Sequence, residues 1–161
     1  MKIPLRYIPR TLSQKDKTAQ LRMLNKSRSQ YKKDKYVGRK PLRSFKNKVS
    51  KHILNARSMY GVDKIVPGKE LSKATGCSIN ALNQIVKKGQ GAYYSSGSRP
   101  NQTSQSWAYA RLASAVSGGK ASIVDFHILE KGCDHRKPAF LHALRKTKKN
   151  VNKNVNKNVN K

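Results

Sequence analysis

Residues 69–89 read KELSKATGCSINALNQIVKKG, and their pattern sets the expected architecture. A short helix is predicted from about Pro67 and Gly68 to Thr75, with Leu71 and Ala74 facing inward. Gly76 suits the tight turn, because glycine tolerates positive φ. Cys77 fits a buried turn position, and Ser78 is a favoured N-cap for a second helix. In that helix Leu82, Ile85 and Val86 make an apolar stripe, and Gly89 is expected to end it. Small Ser72 at the elbow and Gly76 at the turn match the packing needs of a helix-turn-helix; Thr75 stands where an apolar residue is more usual. The same pattern also fits a plain αα-hairpin in a helical core.

The outward face of the second helix carries the chemistry. Ser78, Asn80, Asn83, Gln84, Lys87 and Lys88 lie on or beside it. Asn and Gln can bond an adenine edge in two places, and Lys can reach phosphate or guanine. A helix presenting such a face is what enters a major groove.

Working outward, residues 45–60 place Val49, Ile53, Ala56 and Tyr60 at helical spacing, with Gly61 positioned as a C-cap. Downstream, YYSSGSRPNQ is loop by composition. Its hydroxyls and guanidinium, Ser96, Ser98 and Arg99 among them, could cradle a phosphate, and Tyr93 or Tyr94 could stack on a base. A purely structural loop, with tyrosines as core lids, is the alternative. Thr103 or Ser104 then caps a helix rich in small residues that Gly118 and Gly119 stop. Ser122 caps another that runs to Gly132, and Pro138 opens a last one.

The charge balance names the partner class. The 161 residues hold 36 Lys+Arg against 7 Asp+Glu, a net charge of +29. Such a surface attracts polyanions. Residues 1–51 hold 17 basic and 2 acidic residues, and residues 133–161 hold 9 and 1. The expected organisation is therefore a basic, partly helical N-terminal arm at 1–43 and an α-helical core domain at 44–145. A disordered Asn/Val/Lys repeat tail follows at 146–161, where NVNK occurs three times. In that arm Ser13, with Asp16 three residues on, is a helix cap.

Several classes are excluded or disfavoured. Few carboxylates leave little material for a paired-carboxylate hydrolase or an acidic magnesium site. No metal site is expected, since Cys133, His135 and His142 lack ligand spacing. No cofactor is expected, and nothing marks an activated nucleophile. A nucleic-acid-processing enzyme using Tyr93, Tyr94 or Arg99 ranks last. There is no apolar run long enough for a membrane span and no secretory signal. Cys77 and Cys133 read as reduced intracellular thiols, though two cysteines could pair.

The segment GAYYSSGSRPNQTSQSWAYARLASAVSGGKASIVDFHILEKGC, residues 91–133, resembles a domain of unknown function in nucleocytoplasmic large DNA viruses, the giant viruses. A related version, with an LSKATG-type lead-in, resembles one in tailed phages of cyanobacteria. MKIPLRYIPRTLSQKDKTAQ and YKKDKYVGRKPLRSFKNKVSKHILNAR are also similar to the giant-virus form. The resemblance implies a viral source and supplies no catalytic residue. With it the expectation becomes a non-enzymatic DNA-binding protein of the virion, meeting packaged double-stranded DNA. It would act in the infected cell, in the nucleus or viral factory. The rival expectation is a minor capsid or internal virion protein whose basic arm binds acidic capsid proteins.

Overall fold

Ser13 caps the first helix as expected. Its hydroxyl accepts the Asp16 N–H at 3.2 Å, and α1 runs Gln14–Tyr31. In the computed structural model, which describes residues 2–159, seven further helices follow: α2 (Lys51–Tyr60), α3 (Lys69–Thr75), α4 (Ile79–Ser95), α5 (Ser104–Val116), α6 (Ala121–Val124), α7 (Phe126–Gly132) and α8 (Pro138–Val159). The described residues are mainly helical and form no strand. They divide into two compact units. Residues 2–49 and 88–108 form one, and residues 50–87 and 109–159 form the other.

In the first unit the N-terminal segment, expected as a basic arm, is packed. Gln20, Leu24 and Ser27 are buried along one face of α1, with Tyr31 next on the same stripe. Two of those positions are polar, so apolar periodicity under-reads the face. Each polar group is satisfied. Gln20 donates to the Tyr7 carbonyl at 3.1 Å, and Ser27 to the Val37 carbonyl at 3.1 Å. Leu24 lies against Gly97, whose φ is +107°. A Cβ there would come within 2.7 Å of a Leu24 methyl, so both the angle and the space require glycine.

The second unit has the apolar core. Ala56, Leu71, Leu82, Ile85, Leu112, Val116, Leu129, Phe140 and Ala143 are buried in one cluster. Gly61 ends α2 in the left-handed conformation at φ +61°, where the sequence placed a C-cap. Residues 45–49, predicted helical, lie outside α2, which begins after Ser50. Gly89 does not stop the next helix. Its lost propensity, about 1 kcal/mol relative to alanine, is outweighed because continuing to Ser95 buries Tyr93. The single helix predicted over 122–132 is broken into α6 and α7 at Asp125. That buried carboxylate accepts both Nε and one terminal nitrogen of Arg111 at 2.8 Å.

The cysteines are paired, which corrects the expectation of free thiols. Cys77 and Cys133 form a disulfide across an isolated antiparallel bridge. Around it the Ser78 N–H donates to the Gly132 carbonyl at 2.7 Å, and the Asp134 N–H to the Gly76 carbonyl at 2.8 Å.

The repeat expected to be disordered is helical as far as it is described. Ala139, Phe140 and Ala143 dock the first turns of α8, and a nucleated helix extends at little cost. Residues 148–157 are nonetheless exposed throughout; positions 160 and 161 of the repeat lie outside the described residues. Deleting 148–161 is therefore expected to change unfolding free energy by less than about 0.5 kcal/mol, as for ordinary surface changes. Denaturant titration of the truncated chain checks this, and a larger loss means the stretch packs.

Candidate nucleic-acid interface

The turn between α3 and α4 is held from both sides. Thr75, the residue that looked out of place, is buried, donates to the Leu71 carbonyl at 2.7 Å and accepts the Cys77 N–H at 3.2 Å. Ser72 donates to the Cys77 carbonyl at 2.5 Å. Gly76 has φ +79°, and a Cβ on it would meet the Lys137 side chain at 2.2 Å. Ser78 then caps α4 by accepting the Ala81 N–H at 3.1 Å.

This fixes which face of α4 turns inward. Ala81, Leu82 and Ile85 are buried, whereas Ser78, Asn80, Asn83, Gln84 and Lys87 are exposed. Positions 80, 83, 84 and 87 share one face, by the spacing of neighbours on a helix. Exposed Ile79 adds an apolar group at its start. These residues belong to the second unit and make one continuous polar strip.

The remaining predicted residues, Lys88, Tyr94, Ser96, Ser98 and Arg99, belong to the first unit. Lys88 and Arg99 are exposed. Several of the loop groups expected to cradle a phosphate are engaged within the protein instead. Ser98 is fully buried; its hydroxyl accepts from Arg39 at 2.9 Å and donates to the Arg99 carbonyl at 2.8 Å. The Ser96 carbonyl takes two bonds from Arg28, at 3.1 and 2.5 Å. The amides of Ser96 and Gly97 both donate to the Ala92 carbonyl. Asn101, at φ +60°, accepts the Leu42 N–H at 2.6 Å and donates to the Leu42 and Phe45 carbonyls. The SSGSRPNQ stretch is thus a clasp that binds residues 28–45.

Arg39 is the centre of that clasp. Its guanidinium lies 3.7 Å from the Tyr93 ring centroid. It donates to the Ser27 hydroxyl at 2.9 Å and the Tyr93 carbonyl at 3.0 Å, besides Ser98. Burial lowers its pKa from the ordinary value, and the neighbouring tyrosines oppose that shift. Tyr94 is half-buried and meets two rings that the sequence reading did not single out. Tyr31 lies parallel to it within 7° at 6.4 Å, and Tyr36 edge-on at 5.3 Å. The alternation of aromatic and basic residues in YKKDKY, residues 31–36, was the available signal.

Among the described residues no helix is long and apolar enough to cross a membrane. Fold and surface together define a small, strongly basic, helical protein. The chain belongs to a family of unknown function, DUF5824, whose model matches residues 4–130. No curated protein and no solved structure matches it.

Proposed function

We propose that this chain is a non-enzymatic DNA-binding protein in which α3 and α4 act as a helix-turn-helix. In this reading α4 lies in the major groove and the basic surface neutralises phosphates. The observation that carries it is the single exposed face of α4 holding Asn80, Asn83, Gln84 and Lys87 opposite buried Ala81, Leu82 and Ile85. A major groove about 12 Å wide admits one helix, and amide side chains at this spacing can bond adenine edges. The net charge of +29 supplies the sequence-independent part of the affinity. The resemblance to giant-virus chains makes packaged duplex DNA the polyanion we favour, with the protein held in the virion.

The test is the triple variant Asn80→Ala, Asn83→Ala, Gln84→Ala. Sites are first selected from a random duplex pool with the unaltered chain. The variant should lose about tenfold or more in discrimination between selected and random duplex, since each amide–adenine pair contributes about 1–3 kcal/mol. Undiminished preference in the variant removes α4 as the reading element.

A further inference from the structure

We propose that Tyr31, Tyr36 and Tyr94, with Lys32, Lys33 and Lys35, form a platform that binds unpaired nucleotides of single-stranded nucleic acid by base stacking. This site lies wholly within the first unit and goes beyond the α4 reading without depending on it.

Three rings are gathered at one place. Tyr31 and Tyr94 are parallel within 7°. Tyr36 stands at 67° to each, 6.0 Å from Tyr31 and 5.3 Å from Tyr94. Tyr36 keeps 67% of its surface in water, unusual for an aromatic ring locked into a cluster. Beneath them Tyr93 packs edge-on to Tyr94 at 5.0 Å, and its hydroxyl accepts the Arg39 N–H and donates to the Gln102 carbonyl. The rings therefore rest on a fixed base.

The backbone that carries the lysines is held in a defined turn. The chain after α1 turns tightly, with the Lys33 and Lys35 N–H groups donating to the Gln30 carbonyl and the Asp34 N–H to that of Tyr31. Asp34 takes a left-handed φ of 55° to allow it. Lys32, Lys33 and Lys35 are exposed on that turn, between the two tyrosines. Residues 31–40 hold five basic residues and one acidic.

Charge and shape select the occupant. A single strand offers a π-face and a phosphate at every nucleotide, and stacking rings set among cations match both. A duplex hides its base faces, so an exposed tyrosine gains no stack from it. An apolar protein partner would need apolar walls, whereas lysines border these rings.

The experiment uses the full chain, a labelled oligothymidylate of about 12 nucleotides, within the usual single-strand site size, and a duplex of equal length. Tyr36→Ala should weaken binding to the single strand about tenfold or more, and Tyr36→Phe, which keeps the ring, by no more than about twofold. Both should leave duplex affinity within about twofold, because no duplex base can stack there. The triple α4 variant should keep single-strand affinity, so failure of either site is seen separately. Unchanged single-strand binding in Tyr36→Ala overturns the platform, as does equal loss on both probes. A dimer of the chain that Tyr36→Ala dissociates, with oligonucleotide binding untouched, assigns the patch to a second copy and overturns the platform too.

Discussion

Raising the salt from about 50 to about 200 mM is expected to weaken duplex binding by about 10³-fold or more, the loss that 6–10 phosphate contacts produce. The expectation rests on an excess of cations over the carboxylates that could hold them. Arg111 is taken by Asp125, Arg136 by Asp134, and Arg28 and Arg39 by backbone and hydroxyl oxygens. Only 7 acidic residues exist to pair with 36 basic ones, so most lysines face water and counterions. Each phosphate they neutralise releases condensed cations from DNA, and the logarithm of affinity falls by about 0.9 per contact per logarithm of salt. Anisotropy titrations at four or five salt concentrations give the slope directly. A flat plot means that the charge serves something other than a nucleic acid, and the DNA-binding reading fails. The triple α4 variant should keep the slope while losing preference, since amides read bases and lysines meet phosphates.

Three helix ends that one local signal decides fall where the sequence places them. Ser13 caps α1, Gly61 ends α2, and Pro138 opens α8 because each depends on neighbours within a turn; the Asp16 carboxylate instead accepts from Ser44, 28 positions away. The exposed face of α4 was legible from near neighbours too. Its complement, Ala81, Leu82 and Ile85, is apolar at helical spacing, so the polar remainder must point outward.

What was not legible depends on partners distant in sequence. The Ser98 hydroxyl looks available in a loop, but Arg39 reaches it from 59 positions away. Arg28 takes the Ser96 carbonyl across 68. The segment 1–43 looked like an arm because its buried stripe is half polar, through Gln20 and Ser27. Those side chains can be buried only because Tyr7 and Val37 supply acceptors. The charge therefore belongs largely to a folded surface, and the tyrosine cluster beside it came from residues more than 55 positions apart. The cysteines, too, meet only through the bridge between the α3–α4 turn and the end of α7.

That bridge carries the other large effect. Replacing Cys77 and Cys133 together by alanine should lower the unfolding free energy by about 4 kcal/mol, the chain-entropy value for a closed loop of this size. The two residues are separated by 56 positions, so the link removes many open conformations from the unfolded chain. Alanine suits the test because both cysteines are buried and a hydroxyl would need a new partner. The folded structure should survive, since the bonds from Ser78 to Gly132 and from Asp134 to Gly76 do not need sulfur. Gly132 also keeps its close approach to Ala81, where a Cβ would come within 2.3 Å. Denaturant unfolding of the oxidised chain, the chemically reduced chain and the alanine variant separates the contributions. Reduced chain and variant should agree with each other and fall below the oxidised chain. Equal midpoints for all three would show that the bridge does not constrain the unfolded state. At a denaturant level where the variant still folds, its α4 face should bind duplex as the oxidised chain does. The disulfide then acts on stability, and the hydrogen bonds at the α3–α4 turn set the angle at which α4 is presented.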